Sequence, residues 1–287
     1  MPNVPRSSGR VVKSTRRHSS LSRVRYGVCL ANIGTFSDPR ASVRVARAAE
    51  ESGWEAVFVW DHLAFVWGAP AADPWVVLTA IAAQTETVRI GTAVTPVARR
   101  RPQVLAQTVA SLDVLSDGRV IFGAGLGGAE SEFGKFGEPT DAKVRAAKLD
   151  EGLGVLRDLW TGAEVTHRGE HYTVDGVTLA PRPVQEEVPI WIGGNKAPSL
   201  RRAARWDGWI ADAAAPTGIP LTPDDLARSI DAIGRDADYE VAVLGQSDRG
   251  DPAEYADAGA TWWLENLHDR RGSPEEILAL VEAGVRR

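Results

Sequence analysis

From Tyr26 onward the chain alternates short runs that are apolar throughout with longer stretches whose apolar residues recur every three or four positions, and it does so eight times. The short runs are Tyr26–Asn32, Ala56–Trp60, Val88–Val94, Val120–Leu126, Pro189–Gly193, Gly208–Asp212, Tyr239–Leu244 and Thr261–Glu265. A run that is apolar on both faces reads as a strand of a parallel sheet covered by helices. The stretches between them carry helix signals. Asp38-Pro39 and Asp73-Pro74 place an N-cap before a proline at the first helical position, and Pro102, Pro198, Pro223, Pro252 and Pro274 open further helices. A long helix is predicted from about Asp141 to Trp160. An open doubly wound sheet has the same local signature. Eight units within roughly 250 residues favour a closed (β/α)8 TIM barrel.

Residues 161–183 interrupt the rhythm. Thr166–Glu170 reads as a hairpin turn and His171–Val174 as its return. The expected organisation is therefore one domain over 25–287, a (β/α)8 barrel with a short hairpin insertion, preceded by a disordered basic tail over 1–24. Residues 1–25 hold seven of the 33 Lys and Arg residues and no acid, so the body is strongly acidic. Such a body argues against nucleic-acid binding, which needs cations to displace counterions. No apolar run approaches a membrane span. The single cysteine, Cys29, excludes an internal disulfide framework and agrees with a cytoplasmic location.

Sites on such barrels form at the C-terminal ends of the strands. Asp61-His62 ends the second run, and histidine is the usual proton carrier near neutral pH. Asp61 has three readings: orienting the imidazole, touching a ligand or capping the loop. The fourth run enters a glycine-rich segment, 123–128, that matches G-x-G-x-x-G. Gly134, Gly137 and Pro139 interrupt the stretch after it, so no helix is expected there and no conventional nicotinamide site. Gly193-Gly194 precedes another predicted helix, where backbone N–H groups suit a phosphate. Arg99, Arg100 and Arg101 read first as a solvated loop, with contact to an anionic cofactor tail as the alternative. His167 and His171 fall on the hairpin, and no metal site is expected. Trp67 and Trp75 flank the loop after the second strand, where a ring would cover a planar ligand.

The segments VFVWDHLAF, IGTAVTPVARRRPQVLA, LDVLSDGRVIFGAGLGG, EFGKFG, LDEGLGVLRDLWTG and PIWIGGNKAPSLRRAARWDGW together resemble the luciferase-like flavin- and deazaflavin-dependent oxidoreductases, the luciferase-like monooxygenase superfamily. The resemblance implies a barrel whose mouth holds FMN or the deazaflavin coenzyme F-420 (F420), and redox chemistry on a small organic substrate. His62 matches the family histidine beside the reactive ring. Asp61, Thr92, Ala93 and Val94 fall at positions implied to contact or support the cofactor, and Ala93-Val94 at a non-prolyl cis peptide. Gly125, Gly127 and Gly128, with Ile192, Gly193, Gly194 and Asn195, match segments near the cofactor phosphate. The deazaflavin members resemble this chain slightly more closely.

Two departures limit what carries over. Leu126 stands where bacterial luciferases carry a phosphate-binding arginine, and Gly128 where deazaflavin sugar-phosphate dehydrogenases carry a glutamate. Neither light emission nor a sugar phosphate is therefore implied. Hydride transfer with F420 and monooxygenation with reduced FMN both remain open, the latter with a flavin reductase as partner. The family's homodimer has no sequence feature here that specifies it. A flavin-binding barrel without turnover would use the same glycines and dispense with His62.

Overall fold

The computed structural model describes residues 23–63, 68–213, 221–234 and 239–284. The expected basic tail, Trp67 and most of the loop after the sixth strand lie outside them. Eight parallel strands close on themselves in chain order: Arg25–Leu30, Ala56–Val59, Arg89–Thr92, Val120–Gly125, Ile190–Gly193, Gly208–Asp212, Glu240–Gly245 and Trp262–Leu267. The first strand pairs with both the second and the eighth, Gly27 lying opposite Ala56 and Leu264. The third pairs with the fourth, Ile90 opposite Val120, so the ring has no open edge. This is the (β/α)8 barrel.

The helices begin where the Asp-Pro and Pro signals stand. Asp38, Asp73, Asp141 and Asp251 each accept backbone N–H groups of the turn they open. Thr222 with Asp225, and Ser273 with Glu276, form capping boxes before Pro223–Ile233 and Pro274–Glu282. Strand alternation divides the apolar residues into two cores. Val57, Leu78, Val109, Leu153, Ile192 and Val243 fill the layer between sheet and helices. Cys29, Phe58, Ile121, Trp191, Ile210 and Leu244 fill the barrel interior. Phe58 stacks on Trp191 at 5.6 Å between ring centroids. Gly208 makes that possible, since a Cβ there would stand 2.5 Å from the Trp191 ring.

Four expectations are corrected. The third strand ends at Thr92, and Thr95–Pro96 pairs separately with Ala124 and Gly125. The hairpin strands are Glu164–Arg168 and Thr173–Thr178, so the turn lies beyond Arg168 rather than at Thr166–Glu170. Its position is set by Glu151 of helix Ala142–Trp160, which accepts the N–H groups of His171 and Tyr172 at 2.9 and 2.7 Å and pairs with His167 at 3.0 Å. A single helical turn, Ser131–Gly134, forms where none was expected; Gly134 ends it rather than preventing it. Trp75 does not cover the mouth. It is buried and stacks on Phe122 within the outer core.

Candidate functional site

Three chain segments meet at the C-terminal end of the second strand. Asn32, buried just past the first strand, clamps the backbone of His62: its Nδ2 donates to His62 O at 2.9 Å and its Oδ1 accepts the His62 N–H at 3.2 Å. The imidazole then projects beside the turn Ser131–Gly134. His62 Nδ1 lies 3.1 Å from Glu132 Oε1, with the His62 side chain 22% exposed and that of Glu132 2%. The same Oε1 accepts the Leu63 N–H at 2.7 Å, and Oε2 accepts from Arg99 Nη1 at 2.6 Å.

The Glu132 carboxyl sits below its ordinary value. Burial works to raise it, but the hydrogen bond and charge of His62, the Leu63 N–H and the Arg99 charge outweigh burial. An ionised carboxylate only accepts, so the imidazole nitrogen facing it carries a hydrogen.

Arg99 continues the network to Asp61, donating to Asp61 Oδ1 at 2.6 Å and to its carbonyl at 2.9 Å. Arg100 adds bonds to both Asp61 oxygens at 3.0 and 2.8 Å. The Asp61 side chain is 1% exposed and that of Arg99 5%. The solvated reading of Arg99 and Arg100 is thus replaced by a buried ion-pair network. Buried charges persist only when paired, and these are. Asp61 places the Arg99–Arg100 segment, and Arg99 in turn places Glu132.

The third, fourth and fifth strands form a different lip. The Ala93–Val94 peptide is cis, at the position the resemblance implied. The Val94 side chain lies against two glycines. A Cβ on Gly125 would collide with its methyls, and one on Gly193 would approach them to 2.8 Å. This surface is therefore backbone and one small aliphatic side chain. Thr92 does not present its hydroxyl to the mouth, since Oγ1 donates to Gly123 O at 2.8 Å and joins the third and fourth strands. The Ile192 side chain belongs to the outer core.

Gly127 has φ +81° and Gly194 φ +112°, both in the region that favours glycine. Gly128 faces open space, where a Cβ would meet no neighbouring atom. Asn195 donates to Asp212 O at 2.7 Å and accepts the Asp212 N–H at 3.0 Å, tying together the ends of the fifth and sixth strands. Arg145, from helix Ala142–Trp160, donates to Gly127 O at 2.8 Å and stacks 4.7 Å over Phe133. Its charge is used to hold the glycine loop.

The structure thus brings His62, Val94, Gly125 and Gly193 to one barrel end, and assigns Asp61, Thr92 and Asn195 to joining segments. Sequence reasoning missed Glu132 and Arg145 as parts of the site, and it offered Arg99 a cofactor contact rather than the Asp61–Glu132 link it makes. The available signal was weak: Glu132 opens the EFGKFG segment that carries part of the resemblance.

A family model described as luciferase-like monooxygenase matches residues 18–284. The F420-dependent glucose-6-phosphate dehydrogenase of Nakamurella multipartita is 39% identical over 179 residues, covering 60% of this chain and 52% of that protein. The protein of the same name from Microbacterium testaceum is 41% identical over 163 residues, covering 55% and 47%. The chain spans about half the length of these curated relatives. Among solved structures, an F420-dependent secondary alcohol dehydrogenase in complex with an F420–acetone adduct superposes with TM-score 0.73 at 21% identity, over 85% of this chain and 93% of that one. The coenzyme F420-dependent tetrahydromethanopterin reductase from Methanopyrus kandleri superposes with TM-score 0.74 at 19% identity, over 91% and 98%. These likenesses show a shared fold.

Proposed function

Because the chain belongs to the luciferase-like monooxygenase family, we propose that it is an oxidoreductase that binds coenzyme F420 at the barrel mouth and acts on a small organic substrate. The observation that carries this reading is His62, held by buried Glu132 at the end of the second strand, on the same barrel end as the lip of Val94, Gly125 and Gly193. A flat ring needs a surface without bulky side chains, and a lip of backbone and one valine offers one. When bound there, a deazaflavin supplies a two-electron acceptor or donor of hydride. The chain's own part is the proton: His62 Nε2 takes it from, or returns it to, the substrate while Glu132 holds Nδ1. Gly127, Gly128 and Gly193 supply backbone N–H groups for a phosphate in place of an arginine.

F420 is preferred over FMN because the relatives from Nakamurella and Microbacterium are called F420-dependent. Glucose 6-phosphate is not proposed as substrate, since Gly128 offers no carboxylate and half of each relative has no counterpart here. The proposed assembly is a homodimer. Helix Pro74–Ala82 has no charged residue, and the one in neighbouring helix Pro102–Leu115, Asp113, is buried. Their outer faces expose Val76, Val104 and Val114, and an uncharged face meets its own copy without repulsion. Among the described residues no helix is long and apolar enough to cross a membrane.

The test is a fluorescence titration of the full chain with oxidised F420 and, separately, with FMN. Tight F420 binding with weak FMN binding is expected. FMN preference would replace hydride transfer by monooxygenation with a flavin reductase, and binding of neither at tens of micromolar would overturn the cofactor assignment.

A further inference from the structure

The barrel interior is not apolar all round. Leu244 and Leu264 belong to the interior cluster, so Asn266, two residues further along the eighth strand, faces the same way, and Gln246 follows directly on the end of the seventh strand. Asn266 lies opposite Cys29, which lies opposite Phe58. Trp60 and His268 are therefore one layer nearer the mouth. The Trp60 ring stands 5.5 Å from that of His62 and 6.2 Å from that of His268, linking this sector to the proposed proton carrier.

Asn266 is 2% exposed and Gln246 4%, yet Asn266 Oδ1 and Gln246 Oε1 have no hydrogen-bond partner. The Gln246 amide nitrogen is 3.0 Å from His268 Nε2, while His268 Nδ1 accepts the Arg270 N–H at 3.2 Å. A neutral imidazole that accepts at Nδ1 carries its hydrogen on Nε2, so the end of Gln246 facing it is the oxygen. Turning the amide over satisfies Oε1 and leaves the NH2 group unpaired instead. In either orientation one end of Gln246 and the Asn266 oxygen are buried without a partner. Buried polar groups are nearly always paired, so two such orphans in one sector mark a place for a polar ligand.

We propose that the Asn266 and Gln246 amides form the subsite for the substrate's oxygen, and that the substrate carries an uncharged alcohol or carbonyl group there. An amide accepts from an alcohol O–H and donates to a carbonyl oxygen, so the same pair recognises both members of an alcohol–carbonyl couple. An anionic group at that depth would sit beside Cys29 and Leu264, where the charge of Asp212 already reaches Cys29. Calling the bound molecule the substrate rests on the proposed oxidoreductase function; the binding does not.

The probes are cyclohexanol, cyclohexanone and cyclohexanecarboxylate, titrated into the full chain by ligand-observed NMR. The first two bind wild type more tightly than the carboxylate. Asn266→Leu, close in volume, weakens both by roughly tenfold, the effect of one neutral hydrogen bond. Gln246→Met gives an independent variant should Asn266→Leu fail to fold. Equal affinities across the folded variants, carboxylate as the tightest ligand, or no binding of either neutral probe to wild type would each overturn the subsite. F420 fluorescence is read on the same samples. If F420 fails to bind while the Asn266 pattern holds, the cofactor assignment falls and the subsite stands; the reverse result removes the subsite alone.

Discussion

His62 Nδ1 stands 3.1 Å from Glu132 Oε1, across 70 residues of chain, and Glu132 is in turn held by Arg99. The arrangement sets which imidazole nitrogen faces the carboxylate and fixes the ring's direction. Replacing His62 by Ala is expected to lower kcat by about 10²–10⁴, the usual contribution of a positioned acid or base. F420 affinity should stay within a few-fold, because the cradle is built by other strands. Steady-state kinetics beside a fluorescence titration separate the two, and unchanged kcat would remove His62 from the reaction.

Glu132→Gln keeps the size of the side chain and removes its charge. It is expected to reduce kcat less than His62→Ala does, with F420 affinity unchanged, since the amide oxygen still accepts from the imidazole while the ion pair with Arg99 is lost. A loss of stability with unchanged kcat would mean that Glu132 only packs.

Acid should weaken this network in a defined direction. The folded Glu132 carboxyl lies below its ordinary 4.5, so the unfolded chain binds more protons in that interval. The stability it contributes is complete above about pH 4.5 and is lost as pH falls through the lower, folded value. Urea unfolding of wild type and Glu132→Gln at falling pH is expected to show their difference shrinking across that window.

Asp61 accepts from two arginines with its side chain 1% exposed. Asp61→Ala leaves buried Arg99 and partly exposed Arg100 without this partner and is expected to cost about 3–5 kcal/mol of stability, read by chemical denaturation. A cost near zero would mean that both arginines reach water in the variant.

Gly193→Ala would bring a methyl to 2.8 Å from Val94 Cγ1. Overpacking of this kind typically costs about 1–3 kcal/mol. F420 affinity is expected to fall, and Gly193→Ala combined with Val94→Ala to restore part of it. Separately, Val104→Glu places a charge on the uncharged helix face and is expected to turn a dimer into a monomer in light scattering.

The order of elements was legible in the chain because each signal is local. Apolar runs at 56–60 and 120–126 fall on the second and fourth strands, and Asp38, Asp73 and Asp141 cap the helices that come after them. His62 was legible for the same reason: a strand end is where a barrel exposes side chains. Glu132 was not, because nothing near it in sequence reports a partner 70 positions earlier. The arginine pair misled for a related reason. Three consecutive arginines look solvated, and only closure of the barrel brings Asp61 and Glu132 within reach of Arg99.

The sequence by itself determined the repeating strand–helix unit, the number of units and which residues stand at the strand ends, because periodicity, caps and turns act over a few residues. Tertiary structure alone decided that Asp61 serves Arg99 and Arg100, that Glu132 holds His62, that Val94 fills the space left by Gly125 and Gly193, and that the Asn266 oxygen is buried without a partner. Those relations depend on distances between strands far apart in the chain, and a strand's neighbours across the barrel are fixed only when the sheet closes.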